Sequence, residues 1–103
     1  MTTESLNTVR VRYFGLARNA VGRDEEDLQL PRGSSVRDLM THLASKNGDG
    51  FRASVMTTDG RLRYTSQVLI GDTAVQDLNG MDTPLVEGTP VTIMIIVYPT
   101  DGG

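Results

Sequence analysis

The residues best suited to chemistry in this chain are its last two. Gly102 and Gly103 end the sequence with a carboxylate. With glycine near 7% of average composition, a terminal pair arises by chance in about 0.5% of chains. Alone, the pair therefore reads equally as a frayed end. It gains weight from what precedes it. An apolar run, Val91 to Tyr98, leads to Pro99, and only Thr100 and Asp101 separate that proline from the glycines. Thr100 to Gly103 is expected to project from a rigid body as a short, loosely held tail. A terminal carboxylate becomes reactive when its oxygen attacks the α-phosphate of ATP to give an acyl-adenylate, whose carbonyl carbon a nucleophile can then take. Glycine has no Cβ, so its backbone can thread a narrow channel and leave the carbonyl open. Because the carboxylate already ends the chain, no processing step is expected.

Other chemistries find little support. The chain has no cysteine, which removes disulfides, thiolate metal sites and cysteine nucleophiles. Its one histidine, His42, stands beside an apolar helical stripe and reads as a solvated or border residue. No metal site is expected. The spacing of a dinucleotide fingerprint or a phosphate loop is absent. The 103 residues carry a formal net charge of −3, with 38% hydrophobic and 22% charged residues. This suits one small globular domain and not a nucleic-acid binder, which needs a clustered basic surface. Asp24-Glu25-Glu26-Asp27 reads as a solvated turn. The polar start lacks the apolar core of a signal peptide, and no apolar run reaches membrane-spanning length. A cytoplasmic protein is expected.

The elements that must position the tail follow from periodicity. Residues 1–7 read as a leader, 8–99 as one domain and 100–103 as the tail. Val9, Val11 and Tyr13 alternate with Arg10 and Arg12, the pattern of a half-buried strand. A turn is expected from Gly15 to Gly22. Leu28 and Leu30 continue a second strand that Pro31 stops, giving a hairpin. Ser35, with Asp38 three residues on, caps a helix over about residues 35–46. Val36, Leu39, Met40 and Leu43 form its apolar stripe, and Lys46-Asn47-Gly48 ends it. Phe51 and Val55 suit a short helical turn, and Asp59-Gly60 a turn. Val68-Leu69-Ile70 reads as a strand, residues 78–85 as irregular, and Val91 to Tyr98 as the last strand. The expected core is Val9, Val11, Leu28, Leu30, Val36, Leu39, Leu43, Leu69, Ile93 and Ile95. One main helix on one face of a mixed sheet of four to five strands is an α+β roll.

The last strand is apolar on both sides, yet one helix covers only one face. Either residues 49–64 fold over the second face, or part of it stays open as an interaction surface. The second arrangement places Phe14, Met94, Ile96 and Tyr98 on a partner-binding face. Arg10, Arg12, Arg61 and Arg63 read as solvent-facing strand positions, with Arg10 and Arg12 available to rim that face.

Taken together, the motifs resemble the small ubiquitin-like sulfur carriers: the small subunit of molybdopterin synthase, the thiamine-pathway carrier and related archaeal modifiers. The resemblance rests on Val11-Arg12-Tyr13-Phe14 with Ala17-Arg18 and Gly22, and on Leu30-Pro31-Arg32-Gly33-Ser34-Ser35-Val36 leading into Asp38-Leu39. It continues through Asp59-Gly60-Arg61-Leu62-Arg63, Gly80-Met81-Asp82-Thr83-Pro84-Leu85, Gly88, Val91, Pro99 and Gly102-Gly103. Gly71-Asp72 and Gly88-Thr89-Pro90 depart from the usual turns. Tyr98-Pro99-Thr100-Asp101 replaces the usual small apolar residues before the glycines. The resemblance implies a ubiquitin-like β-grasp fold and a carrier that is not itself an enzyme. It implies no bound cofactor, ATP being used by a partner adenylating enzyme of the ubiquitin-activating type. A thiocarboxylate would form on Gly103, and its sulfur would pass to the molybdopterin synthase large subunit or another sulfur acceptor enzyme. The residues from 48 to 64 favour the molybdopterin member over the shorter thiamine carriers. Two other readings stay open: a modifier joined to lysines of other proteins through Gly103, and a non-reactive β-grasp binding module.

Overall fold

In the computed structural model, residues 6–95 are described. They run in the order β1 (Leu6–Gly15), α1 (Leu16–Val21), β2 (Glu25–Pro31), α2 (Val36–Asn47), α3 (Asp49–Val55), β3 (Ser66–Ile70), β4 (Thr73–Ala74) and β5 (Val91–Ile95). Two 3-10 turns, Val75–Asp77 and Gly80–Asp82, lie between β4 and β5. The five strands form one mixed sheet in the order β2-β1-β5-β3-β4. β1 pairs antiparallel with β2 and parallel with β5, which in turn pairs antiparallel with β3. The first and last strands thus lie side by side at the centre of the sheet.

Alternation in β1 turns Val9, Val11 and Tyr13 inward, all at most 2% exposed. They meet Leu28 and Leu30 of β2, Val68 of β3, and Val91, Ile93 and Ile95 of β5. α2 lays Val36, Leu39, Met40 and Leu43 on this layer. Its start is fixed by a reciprocal capping box: the Asp38 amide donates to Ser35 Oγ at 3.3 Å, and the Ser35 amide donates to Asp38 Oδ2 at 2.9 Å.

α3 answers the question left open at residues 49–64. Phe51 and Val55, four residues apart on one helical face, are both buried, and α3 packs on α2 and α1. It joins the layer that already covers the sheet, so α3 does not cover the opposite face.

Several expectations are corrected. The stretch after Gly15 forms α1, because Leu-Ala-Arg-Asn-Ala-Val carries no helix breaker and buries Ala17 completely. Gly22 ends it in the left-handed conformation, its amide donating to the Arg18 carbonyl at 2.7 Å. Leu6 and Asn7, assigned to the leader, belong to β1 and pair with Pro31 and Leu30. Leu69 is not a core residue. Val68 stands opposite Ile93 and points inward, which sends Leu69 to the other face. Arg61 and Arg63 flank an isolated bridge between Met56 and Leu62 and belong to none of the five strands.

The largest correction concerns Glu26. It is a buried residue of β2, in step with Leu28 and Leu30 on the inward face. The Tyr13 hydroxyl donates to Glu26 Oε2 at 2.6 Å, while Lys46 Nζ and Arg23, the latter at 3.4 Å, reach Glu26 Oε1. Burial alone would raise this carboxyl's pKa. The hydrogen bonds from Lys46 and Tyr13 and the nearby cationic charges outweigh burial and hold it below the ordinary value. The Tyr13 hydroxyl is driven upward, first by burial and then by its bond to Glu26.

Candidate functional site

The face of the sheet turned away from α2 is built by the residues that alternate with the core. In β1 these are Thr8, Arg10, Arg12 and Phe14. Strand register sets two rows across the sheet. Phe14 stands beside Met94, and Met94 beside Gln67; Arg12 stands beside Thr92, and Thr92 beside Leu69. Phe14 is 44% exposed, while Met94, Gln67 and Leu69 are half-buried. The centre of the face is therefore apolar or uncharged, and its charges stand along β1 and its neighbour β2, where Glu25 and Asp27 face the same way as Arg12 and Arg10.

The two arginines differ. Arg10 is matched locally, with Nε 2.9 Å from Asp27 and a second nitrogen 3.6 Å from Glu25. Arg12 has no carboxylate partner among the described residues, and its guanidinium lies 5.6 Å from the centre of the Phe14 ring. That is the range of a cation–π contact. It leaves a charge and an aromatic edge presented together, the composition that anchors protein interfaces.

The same geometry places the last described residue. That residue, Ile95, lies between Gly15 and Ser66. Gly15 has φ 63° and ψ −137°, and a Cβ there would meet the Ile95 carbonyl oxygen at 2.8 Å. Glycine is what lets β1 turn into α1 while lying against β5. Ile95 therefore follows Met94 and pairs with the residue after Phe14. Eight residues follow, 96–103; fully extended they reach at most about 28 Å.

Of the candidate site residues, Phe14 and Met94 come together on the open face. Ile96, Tyr98, Thr100, Asp101, Gly102 and Gly103 lie outside the described residues. Sequence reasoning passed over Gln67 and Leu69 as members of this face. The signal was present in the alternation of β3, where only one of Val68 and Leu69 can point inward. His42 is exposed on α2, away from this face. Among the described residues no three His, Asp or Glu side chains gather as metal ligands, and no helix is long and apolar enough to cross a membrane.

The sequence model of the ThiS family matches residues 11–99. The chain belongs to the ThiS family. Its fold is the ubiquitin-like β-grasp of the small sulfur carriers and modifiers. The Haloferax volcanii HVO 2177 protein superposes with a TM-score of 0.82 at 23% identity, over 97% of this chain and 92% of that one. A Pyrococcus furiosus protein described as molybdopterin converting factor, subunit 1, gives 0.71 at 26% identity, over 88% and 99%. Small archaeal modifier protein 1 of H. volcanii gives 0.75 at 15% identity, over 88% and 99%. Among curated protein sequences none matches. ThiS-family proteins are small carriers and not catalysts.

Proposed function

We propose that this chain is a cytoplasmic sulfur carrier that works through Gly103, most specifically as the small subunit of a molybdopterin synthase. A ubiquitin-activating-type enzyme docks on the open face around Phe14, Met94 and the Arg12 edge, with Ile96 and Tyr98 extending that face. The Gly103 carboxylate oxygen attacks the α-phosphorus of ATP, and pyrophosphate leaves. A persulfide sulfur then takes the acyl carbon and AMP leaves, giving an acyl disulfide; a second partner thiol attacks the partner's sulfur in that bond, so the S–S bond breaks, a disulfide forms on the partner and a thiocarboxylate is left on the carrier. The ATP and the thiols belong to the partners, so the carrier needs no bound cofactor. Thr100 and Asp101 form the stalk inside the partner's channel, and Gly102 keeps that channel passable. The sulfur is then delivered to a molybdopterin synthase large subunit or a comparable acceptor enzyme.

The observation that carries this reading is the position of Ile95. The parallel pairing of β1 with β5 brings Ile95, eight residues before Gly103, to the border of the face where Phe14 is exposed and Met94 half-buried. An enzyme gripping that face has the tail within reach. The mass of the C-terminal peptide isolated from the native cell tests the proposal. Replacement of one oxygen by sulfur at Gly103 supports it. A branch to a lysine of another protein would make the chain a modifier instead, and an unmodified acid under every growth condition would overturn both.

A further inference from the structure

Lys46 is the only lysine among the 103 residues; every other side-chain cation is arginine. This bears on what an activated chain end can react with. An acyl-adenylate or thioester is attacked by unprotonated primary amines, whereas a guanidinium remains charged and inert. A carrier crowded with lysines would acylate itself and its own copies.

The one side-chain amine present is also held. Lys46 Nζ donates to Glu26 Oε1, and the Glu26 side chain is only 4% exposed. The Lys46 side chain is 41% exposed, so solvent reaches it and burial alone does not protect it. The pairing does. To act as a nucleophile, the nitrogen must lose a proton and turn its lone pair outward. Either change leaves an enclosed carboxylate with Tyr13 and the more distant Arg23 as its remaining donors. An ionised group inside a protein that loses its partner is strongly disfavoured.

We infer that the Glu26–Lys46 pair makes the side chains of this domain poor acceptors of its own activated end, so that side-chain acylation is directed to partner nucleophiles. The inference rests on the proposal that Gly103 is activated. The suppressed reaction would be ordinary acyl transfer. The Lys46 nitrogen would bond to the carbonyl carbon, the carbon–sulfur bond of the thioester would break, the thiolate would leave and the amine proton would pass to solvent.

The test places a reference amine in the same molecule. Arg32 is exposed and makes no hydrogen bond or ion pair among the described residues, so Arg32→Lys adds a free lysine without touching the core. This variant is treated with a synthetic C-terminal thioester of the wild-type domain and, in parallel, with trace N-hydroxysuccinimidyl acetate. Acylation at each lysine is read by peptide mass spectrometry. Lys46 is expected to react at least about tenfold more slowly than the lysine at 32, equivalent to about 1.4 kcal/mol. Adding Glu26→Gln should bring the two within about threefold, roughly 0.6 kcal/mol. Equal reactivity in the Arg32→Lys protein alone overturns the inference, whether or not the Glu26 variant folds. Protection that survives Glu26→Gln in a folded protein overturns Glu26 as its source. Neither readout requires an activating enzyme, so failure here is separable from failure of the carrier proposal.

Discussion

Gly15→Ala offers a measurement of how tightly Ile95 is held against β1. At φ 63° and ψ −137°, Gly15 occupies backbone that residues with a Cβ enter at about 1–3 kcal/mol. The added Cβ would also stand 2.8 Å from the Ile95 carbonyl oxygen. That oxygen belongs to the backbone of a central strand held by β1 on one side and β3 on the other, so it has little room to yield. Overpacking of this kind adds about 1–3 kcal/mol, for an expected total of about 2–6 kcal/mol. Gly22→Ala is the control. Gly22 also has positive φ, 87°, but nothing lies within 4 Å of its would-be Cβ, so only conformational strain of about 1–2 kcal/mol applies. Urea unfolding of both variants, followed by circular dichroism, separates the two contributions. The Gly15 variant should lose at least about 1 kcal/mol more than the Gly22 variant, the lower end of the overpacking range. Equal losses would refute the claim that Ile95 is pinned against Gly15.

Three further outcomes are expected. Glu26 has its pKa held low in the fold, so its stabilisation is present above the unfolded value of about 4.3 and is lost as pH falls through the lower folded value. Glu26→Gln should flatten that acid limb in a pH series of urea midpoints and cost about 1–3 kcal/mol at neutral pH; an unchanged acid limb would contradict the role given to Glu26. Phe14→Ala should weaken binding to the activating enzyme by at least about tenfold, as loss of an aromatic anchor does, while lowering stability by about 1 kcal/mol or less; calorimetry and urea unfolding on one preparation would show whether binding and folding move together instead. Appending one alanine after Gly103 should abolish ATP-dependent adenylation with no change in melting temperature. The added residue moves the carboxylate about 3.5 Å, more than reaction geometry tolerates, and full activity of the extended chain would exclude the terminal carboxylate as the reacting group.

How much of this was legible in the residues depends on the range of the forces involved. The capping of α2 by Ser35 and Asp38 and its stripe of Val36, Leu39, Met40 and Leu43 are local, and they read directly. The placement of α3 is not local. Phe51 and Val55 suggest a helical turn, but nothing in residues 49–64 says whether that turn covers the first or second face of the sheet. Only the space beside α2 and α1 decides it. Leu69 was misplaced because Val68-Leu69-Ile70 is apolar throughout, and a continuous apolar run carries no phase until its register with β5 is known. Glu26 was misread for the opposite reason. Its neighbours Asp24, Glu25 and Asp27 are charged and exposed, and they hid a period of two that runs on through Leu28 and Leu30. Its partners Tyr13, Arg23 and Lys46 come from β1, the loop before β2 and the end of α2. The open face was anticipated from the excess of apolar residues in the last strand. Its full membership, Gln67 and Leu69 included, required the pairing of β3.

The parallel pairing of β1 with β5 links these features. A chain end delivered for reaction in another protein's active site must extend from a support that does not itself move. An edge strand would give that support one neighbour; β5 has two, β1 and β3, and its inward side chains Val91 and Ile93 are at most 1% exposed. Among the described residues, the same central position leaves the outward side chains of β5 without a covering helix, because α1, α2 and α3 all serve the other face. A last strand paired on both sides and an uncovered surface beside it thus follow from one topological choice. Gly15 is the residue that permits it, since any larger residue would press on the strand from which the tail departs.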